Sequence, residues 1–168
     1  MGVSGCGKSE IGQRLATCLS CAYVEGDDHH PDANVQKMSA GIALQDEDRR
    51  DWLLNLQAQI RGARESDASL VLSCSSLKRR YRDLLRAGDP DLIFVHLSGS
   101  RELIAARMQA RPGHFMPLAL LDSQFRDLEP LQADERGIAI DIDAMPQQMI
   151  DQVLQRFGAK ANNERKNP

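Results

Sequence analysis

Gly2-Val3-Ser4-Gly5-Cys6-Gly7-Lys8-Ser9, at the start of the chain, satisfies the pattern G-x-x-x-x-G-K-[ST] in full. Glycines at these positions allow the backbone to curl so that successive N–H groups point inward at an anion. Apolar residues recur at helical spacing directly after the loop, at Ile11, Leu15 and Leu19. A helix is therefore expected to begin near Lys8 and to present its partial positive end to the same anion. The stretch predicts a phosphate-binding loop.

The residue types in this loop predict ATP and Mg²⁺ as its ligands. Lys8 can reach the β- and γ-phosphates, and the hydroxyl of Ser9 can bind Mg²⁺. The predicted ATP-binding residues are Gly2, Ser4, Gly5, Cys6, Gly7, Lys8 and Ser9. No predicted strand ends in the aspartate of a standard Walker B motif. Mg²⁺ is therefore expected to be held by Ser9, phosphate oxygens and waters, with Asp27 acting through water.

Short apolar runs alternate with amphipathic segments along the rest of the chain. The runs predict strands at residues 22–24, 70–72, 92–97 and 138–142. Helices are expected at residues 46–60, 77–86, 103–110, 117–128 and 146–157. This alternation is typical of an α/β fold with a parallel sheet flanked by helices in three layers. We expect one domain over residues 1–158, with a polar, disordered tail at residues 159–168.

A strand normally precedes a phosphate loop of this kind, yet only Met1 does so here. Without that strand, apolar surface and backbone groups of its neighbours would lose their partners, at about 1–3 kcal/mol for each unsatisfied group. The first strand is therefore expected to be truncated, and the natural chain is expected to begin upstream of Met1.

Composition excludes several classes of function. The 168 residues carry a formal net charge of −3, which argues against binding to nucleic acid. No apolar run approaches the ~20 residues that cross a bilayer, so no membrane association is expected. The chain also shows no signal segment, which favours the cytoplasm. The pair Cys18-x-x-Cys21 has no second pair at metal-site spacing, and packing of Cys18 in the core is the preferred interpretation.

An ordered set of motifs resembles the gluconate kinases, a family of small P-loop kinases. The motifs cover nearly the whole chain: residues 2–9, 26–31, 41–44, 46–49, 52–53, 74–78, 81–83, 111–116, 123–125, 128–130 and 133–135. The resemblance implies a P-loop kinase fold with a helical lid at about residues 107–125. It also implies transfer of the ATP γ-phosphate to the 6-hydroxyl of D-gluconate, and a homodimer.

Phosphoryl transfer depends on positioning and on stabilisation of charge, so the site needs several cations and a carboxylate that orients the hydroxyl. Asp27 follows the predicted strand 22–24 and is expected to orient or deprotonate the attacking hydroxyl; the alternative is a turn residue. Lys8, Arg107 and Arg111 are predicted to stabilise the transferring phosphoryl group. The predicted catalytic residues are therefore Lys8, Asp27, Arg107 and Arg111.

A sugar acid needs a cation for its carboxylate. Lys78 and Arg82 lie four residues apart, on one face of a predicted helix, and both are expected to face the pocket. His30, His114 and Gln124 are further predicted substrate contacts. His30 could instead brace its loop, and His114 could pack a helical hairpin. Trp52 is expected in the core.

Two other functions stay open from the sequence. One is a related P-loop kinase that acts on shikimate or another small hydroxy acid. The other is a nucleotide-binding protein with weak catalysis, which the missing first strand would favour. The charged residues retained at the predicted site argue against the second, because such groups are costly to bury without a function.

Overall fold

The computed structural model describes residues 1–110 and 118–158. The four strands in this part of the chain are β1 Ala22–Glu25, β2 Leu70–Ser73, β3 Phe94–Ser98 and β4 Gly137–Asp141. The helices are α1 Lys8–Leu19, α2 Asp32–Ser39, α3 Asp46–Glu65, α4 Arg79–Arg86, α5 Arg101–Ala110, α6 Leu118–Asp127 and α7 Pro146–Val153. A 3₁₀ turn, Gly26–His29, follows β1, and a π turn, Leu154–Gly158, follows α7. The α/β prediction is confirmed.

Helix α2 is an element that the sequence did not predict. The polar run at residues 25–31 is typical of a loop, with Pro31 starting the next turn. In the structure Pro31 is instead the N-cap of α2, and Asn34 is the buried residue of this short helix. Since one buried position gives no periodicity, the hydrophobic pattern carries no helical signal there.

The strands form two parallel pairs, with Met1 and Gly2 between them. β1 pairs with β2 and β3 with β4. The Met1 carbonyl accepts the Leu97 N–H at 3.0 Å, and the Gly2 N–H donates to Ser75 O at 3.1 Å. This dipeptide therefore links the β3 edge to the end of β2. The upstream start of the natural chain stays a prediction.

Two apolar clusters hold the helices against the strands. The larger cluster joins α1, α5, α6 and α7 to β3 and β4, with Ile104, Leu121 and Ile142 almost fully buried. The smaller cluster joins α3 and α4 to β2 around Trp52, Leu56 and Leu85. Burial on this scale gives roughly 25 cal/mol for each Å² of apolar surface removed from water. The clusters place the carboxyl ends of β1 and β2 next to the phosphate loop.

A cavity of about 400 Å³ lies beside Met1 between β2 and β3; its lining is mainly apolar, and Lys8 is the predicted site residue that reaches it. Cys18 is exposed, so the prediction that it packs in the core is wrong. Among residues 1–110 and 118–158, no helix combines the length and apolar character that a membrane span needs. The predicted tail at residues 159–168 lies outside the described residues.

Candidate active site

The phosphate loop has the backbone conformation that its glycines predict. Gly2, Gly5 and Gly7 have φ angles of 137°, 82° and 94°, a region that other residues rarely adopt. A Cβ at Gly5 would lie 2.5 Å from the side chain of Met108, so close packing also requires glycine there. A Cβ at Gly7 would meet nothing within 4 Å. The loop therefore leaves open space directly before α1, where a phosphate can approach the helix N-terminus.

Two polar groups of the loop already have protein partners. The Ser4 N–H donates to Oε1 of Gln124 on α6 at 2.6 Å, and Lys8 Nζ donates to the Val3 carbonyl at 3.0 Å. Cys6 is buried, so its thiol packs beneath the loop. Both hydrogen bonds engage groups that would otherwise be directed at phosphate oxygens.

Asp27 lies on the 3₁₀ turn that follows β1, beside the phosphate loop. The turn approaches β2 so closely that a Cβ on Gly26 would lie 2.2 Å from Ser73 O. Burial raises the pKa of the Asp27 carboxyl, and the Lys8 ammonium partly offsets this effect. Asp27 thus combines a raised pKa with a position next to Lys8, a combination that suits a general base.

His30 and Trp52 form one wall beside Asp27. Their rings stack at a centroid distance of 4.0 Å, and Trp52 Nε1 donates to Gly26 O at 2.7 Å. Trp52 is almost fully buried, which confirms its prediction as a core residue. Burial lowers the pKa of His30 to about 4, with a further contribution from the Arg49 charge. His30 is therefore neutral at physiological pH and acts there as a flat, hydrogen-bonding surface.

Arg49 is a cation at the site that was not among the residues predicted from the sequence. It lies in the first turn of α3 and is 8% exposed. Its charge lowers the pKa of both Asp27 and His30, so it faces the same site. Among the buried side-chain nitrogens and oxygens of the described residues, Arg49 Nε alone lacks a hydrogen-bond partner. An unsatisfied buried guanidinium nitrogen is costly, and it calls for a partner that the described residues do not supply.

Lys78 joins Arg49 around the ring of Tyr81. Arg49 Cζ lies 5.9 Å and Lys78 Nζ 5.8 Å from the ring centroid. Lys78 Nζ also contacts Asp46 at 3.1 Å and Asp127 at 3.2 Å. The prediction that Lys78 binds the substrate carboxylate stays open, because the side chain is 19% exposed and its ammonium already has two carboxylate partners.

The structure contradicts the prediction that Arg82 binds the substrate. Its guanidinium is fully buried and makes a two-point ion pair with Glu135, at 2.6 and 2.8 Å. The remaining donors are directed at backbone carbonyls of Ser76, Leu77, Glu129 and Pro130. All its hydrogen-bonding capacity is used inside the protein, so Arg82 holds the segment around residues 129–135 against α4. Helical spacing placed it on a face with Lys78 but could not show how deeply it is buried.

The residues predicted around a lid have different positions. Arg107 Nη2 donates to Ile142 O at 2.7 Å, just beyond the carboxyl end of β4. Gln124 contacts the phosphate loop through the Ser4 N–H. Arg111 and His114 lie outside the described residues, as does the middle of the predicted lid.

Oxygen groups suitable for Mg²⁺ lie near Ser9. Tyr23 Oη is hydrogen-bonded to Glu25 at 2.6 Å and to Ser73 at 2.8 Å, and Ser9 also contacts this phenol. Ser9 and Glu25 thus share the Tyr23 phenol, and the charge of Glu25 also acts on Asp27. Hydroxyl and carboxylate oxygens are the ligands that Mg²⁺ prefers, directly or through water. The residues present fit the metal, and Glu25 is a member of this group that the sequence did not indicate.

Parallel strand pairs, a glycine-rich loop directly before a helix, a lysine in that loop and an aspartate beside it define a P-loop kinase of small molecules. The sequence model of the shikimate kinase family matches residues 4–157. The chain is 52% identical over 143 residues to the thermosensitive gluconokinase of Escherichia coli, covering 84% of this chain and 76% of that protein.

Solved structures agree with this class. A sugar kinase from a Janibacter species is 42% identical with a TM-score of 0.91, covering 94% of this chain and 91% of that one. A gluconokinase from Sinorhizobium meliloti is 39% identical with a TM-score of 0.84, covering 97% and 91%. The chain therefore belongs to the gluconokinase family, within the broader group that the shikimate kinase model describes.

Proposed function

We propose that this protein transfers the γ-phosphate of ATP to the 6-hydroxyl of D-gluconate, giving 6-phospho-D-gluconate. The observation that carries the proposal is the placement of Asp27, a carboxylate close to the phosphate-loop Lys8 and to Arg49, whose buried Nε has no hydrogen-bond partner. Such an arrangement suits a substrate with a hydroxyl at one end and a carboxylate at the other. The names of the curated and structural relatives support the same substrate.

In this proposal Asp27 accepts a hydrogen bond from the attacking hydroxyl and aligns it with the phosphoryl group. Its raised pKa makes it a better proton acceptor than an aspartate of ordinary pKa as the hydroxyl loses its proton. Lys8 supplies positive charge to the transferring group, and Arg107 and Arg111 remain proposed contributors. Bound through Ser9 and nearby carboxylates, Mg²⁺ would neutralise charge that develops on the phosphates.

The other end of the substrate is assigned to Arg49, with Lys78 as a second cation. A carboxylate at Arg49 would satisfy the orphaned Nε and form a charge-assisted hydrogen bond. The stacked pair of His30 and Trp52 would then lie beside the carbon chain, and His30 would contact a hydroxyl. His114 remains a proposed substrate contact.

The proposal extends to the setting of the enzyme. The expected location is the cytoplasm, the compartment that supplies ATP for such a reaction. A homodimer follows from the resemblance, and light scattering coupled to size exclusion tests it. A mass near the 18.7 kDa of one chain would contradict the dimer.

A coupled assay of ADP release tests the reaction itself. D-gluconate, shikimate and nucleoside monophosphates are compared at equal concentration, and the product is identified by mass spectrometry. We expect turnover with gluconate and its loss by orders of magnitude in Lys8→Ala, with Lys37→Ala as a control outside the phosphate loop. Background rates with gluconate would refute the proposal; turnover with shikimate instead would favour the alternative that the family model raises.

A further inference from the structure

Helix α6 makes a hydrogen bond to the phosphate loop through Gln124. Gln124 Oε1 accepts the Ser4 N–H at 2.6 Å, a distance at the short end for such a bond. Ser4 lies in the middle of the loop, at a position whose N–H group is suited to a phosphate oxygen. A backbone N–H offers one proton, so it cannot make a strong bond to Gln124 and to a phosphate at the same time.

One turn further along, the same helix contacts the other half of the site. Asp127 lies three residues after Gln124, which places both side chains toward the same side of α6. Its carboxylate is 3.2 Å from Lys78 Nζ, which also contacts Asp46 at the start of α3, at 3.1 Å. A single helix thus touches the nucleotide loop at one position and a cation of the proposed sugar-acid site at the next.

We propose that α6 couples the two substrate sites. Gln124 binds the Ser4 N–H until a nucleotide phosphate replaces it, and Asp127 fixes the helix through its ion pair with Lys78. The Gln124 part needs only nucleotide binding, whereas the Asp127 part rests on the proposed function. A phosphate oxygen carries charge, so it is a stronger acceptor than the Gln124 amide and displaces it. Displacing Gln124 moves it away from the loop and strains the Asp127–Lys78 contact. A sugar-acid carboxylate at Lys78 weakens that contact and eases the displacement.

Opposite substitutions at Gln124 test the first part. In Gln124→Leu the Ser4 N–H is released, and we expect ADP with Mg²⁺ to bind about 2- to 10-fold more tightly, the range of one ordinary hydrogen bond. In Gln124→Glu a carboxylate holds the N–H and repels phosphate, and binding should weaken at least about 3-fold.

The matched controls are Gln152→Leu and Gln152→Glu, on the exposed side of α7, where the dissociation constant should not change. Calorimetric titration at constant salt gives each constant, and circular dichroism confirms the fold. A purely structural role would weaken binding in both Gln124 variants. That outcome, or no change in either variant, would overturn the proposal.

The second part is tested by the effect of D-gluconate on ADP binding. In the wild type, saturating gluconate should lower the ADP dissociation constant by about 1.5- to 5-fold, the scale of one partly exposed ion pair. Asp127→Asn should bind ADP in the absence of gluconate as the wild type does in its presence, and gluconate should then have no further effect. Asp122→Asn, which loses the α6 ion pair with Arg101, is the control that should retain the wild-type response.

The outcomes separate the two proposals. An unchanged response to gluconate in Asp127→Asn overturns the coupling while leaving gluconate as substrate. A wild type that neither binds nor phosphorylates gluconate overturns the proposed function and the Asp127 part together. The opposite shifts at Gln124 would still establish the competition for Ser4.

Discussion

Replacing Arg49 by methionine separates binding from stability. Methionine keeps an unbranched apolar chain near the Tyr81 ring, where Arg49 Cζ lies 5.9 Å from the ring centroid, and removes the charge. A hydrogen bond to a charged group contributes about 1.5–3 kcal/mol, so loss of the proposed carboxylate contact should lower kcat/KM for gluconate about 10- to 150-fold. Most of this change should appear in KM, because the carboxylate is remote from the reacting hydroxyl.

The free energy of unfolding should move in the other direction or stay constant. Arg49 Nε is buried without a partner, and the cost of such a group is about 1–3 kcal/mol. The variant loses this cost, so its urea midpoint should not fall. The Arg49 charge also lowers the pKa of Asp27, so the acid limb of the kcat/KM profile should move to higher pH in the variant.

The assay is steady-state kinetics with gluconate at saturating ATP, accompanied by urea unfolding. Arg50→Met is the matched control, because Arg50 is the next residue on α3 and is exposed. A change in kcat/KM below about 3-fold for Arg49→Met, or an equal loss in Arg50→Met, would refute the assignment of the carboxylate to Arg49.

Three further predictions concern titration and burial. Asp27→Asn should lower kcat about 10²- to 10⁴-fold. Burial raises the Asp27 pKa above 3.8, so ionisation of this carboxyl lowers native stability as pH rises. The variant should therefore have a higher Tm than the wild type at pH 7, but not below pH 3.8. Equal Tm values at pH 7 would contradict this reasoning. Arg82→Met should lower the free energy of unfolding by about 3–5 kcal/mol, because it leaves Glu135 buried and unpaired. Adding Glu135→Leu should recover most of this loss. If the losses of the two single variants simply add in the double variant, the pair is not coupled. Burial lowers the pKa of His30 and of His96 to about 4, so the wild type should lose stability as pH falls from 6.5 to 4. In urea titrations, His96→Gln should reduce the dependence of the free energy of unfolding on pH over this range. An unchanged pH dependence in this variant would exclude His96 as its source.

Much of the fold was predictable because its signals are local. The glycine pattern of residues 2–9 predicts the loop conformation, since φ angles near 90° are accessible mainly to glycine. Apolar runs predicted the four strands, and periodicity predicted α1, α3 and α7 to within a few residues. Helix α2 was missed because it buries little, so its sequence carries no periodic pattern.

By itself, the sequence determined that the chain has a phosphate loop, an α/β fold and an acidic turn after β1, because each depends on residues close together in the chain. Tertiary structure alone decided which of the predicted cations is neutralised inside the protein. Lys78 and Arg82 lie four residues apart, the spacing of one helix face, yet Arg82 is fully buried against Glu135, which lies 53 residues away. Arg49, from another helix, keeps an unsatisfied nitrogen beside Asp27. The charged residues can be read from the sequence, whereas the partner that neutralises each of them depends on packing between distant segments.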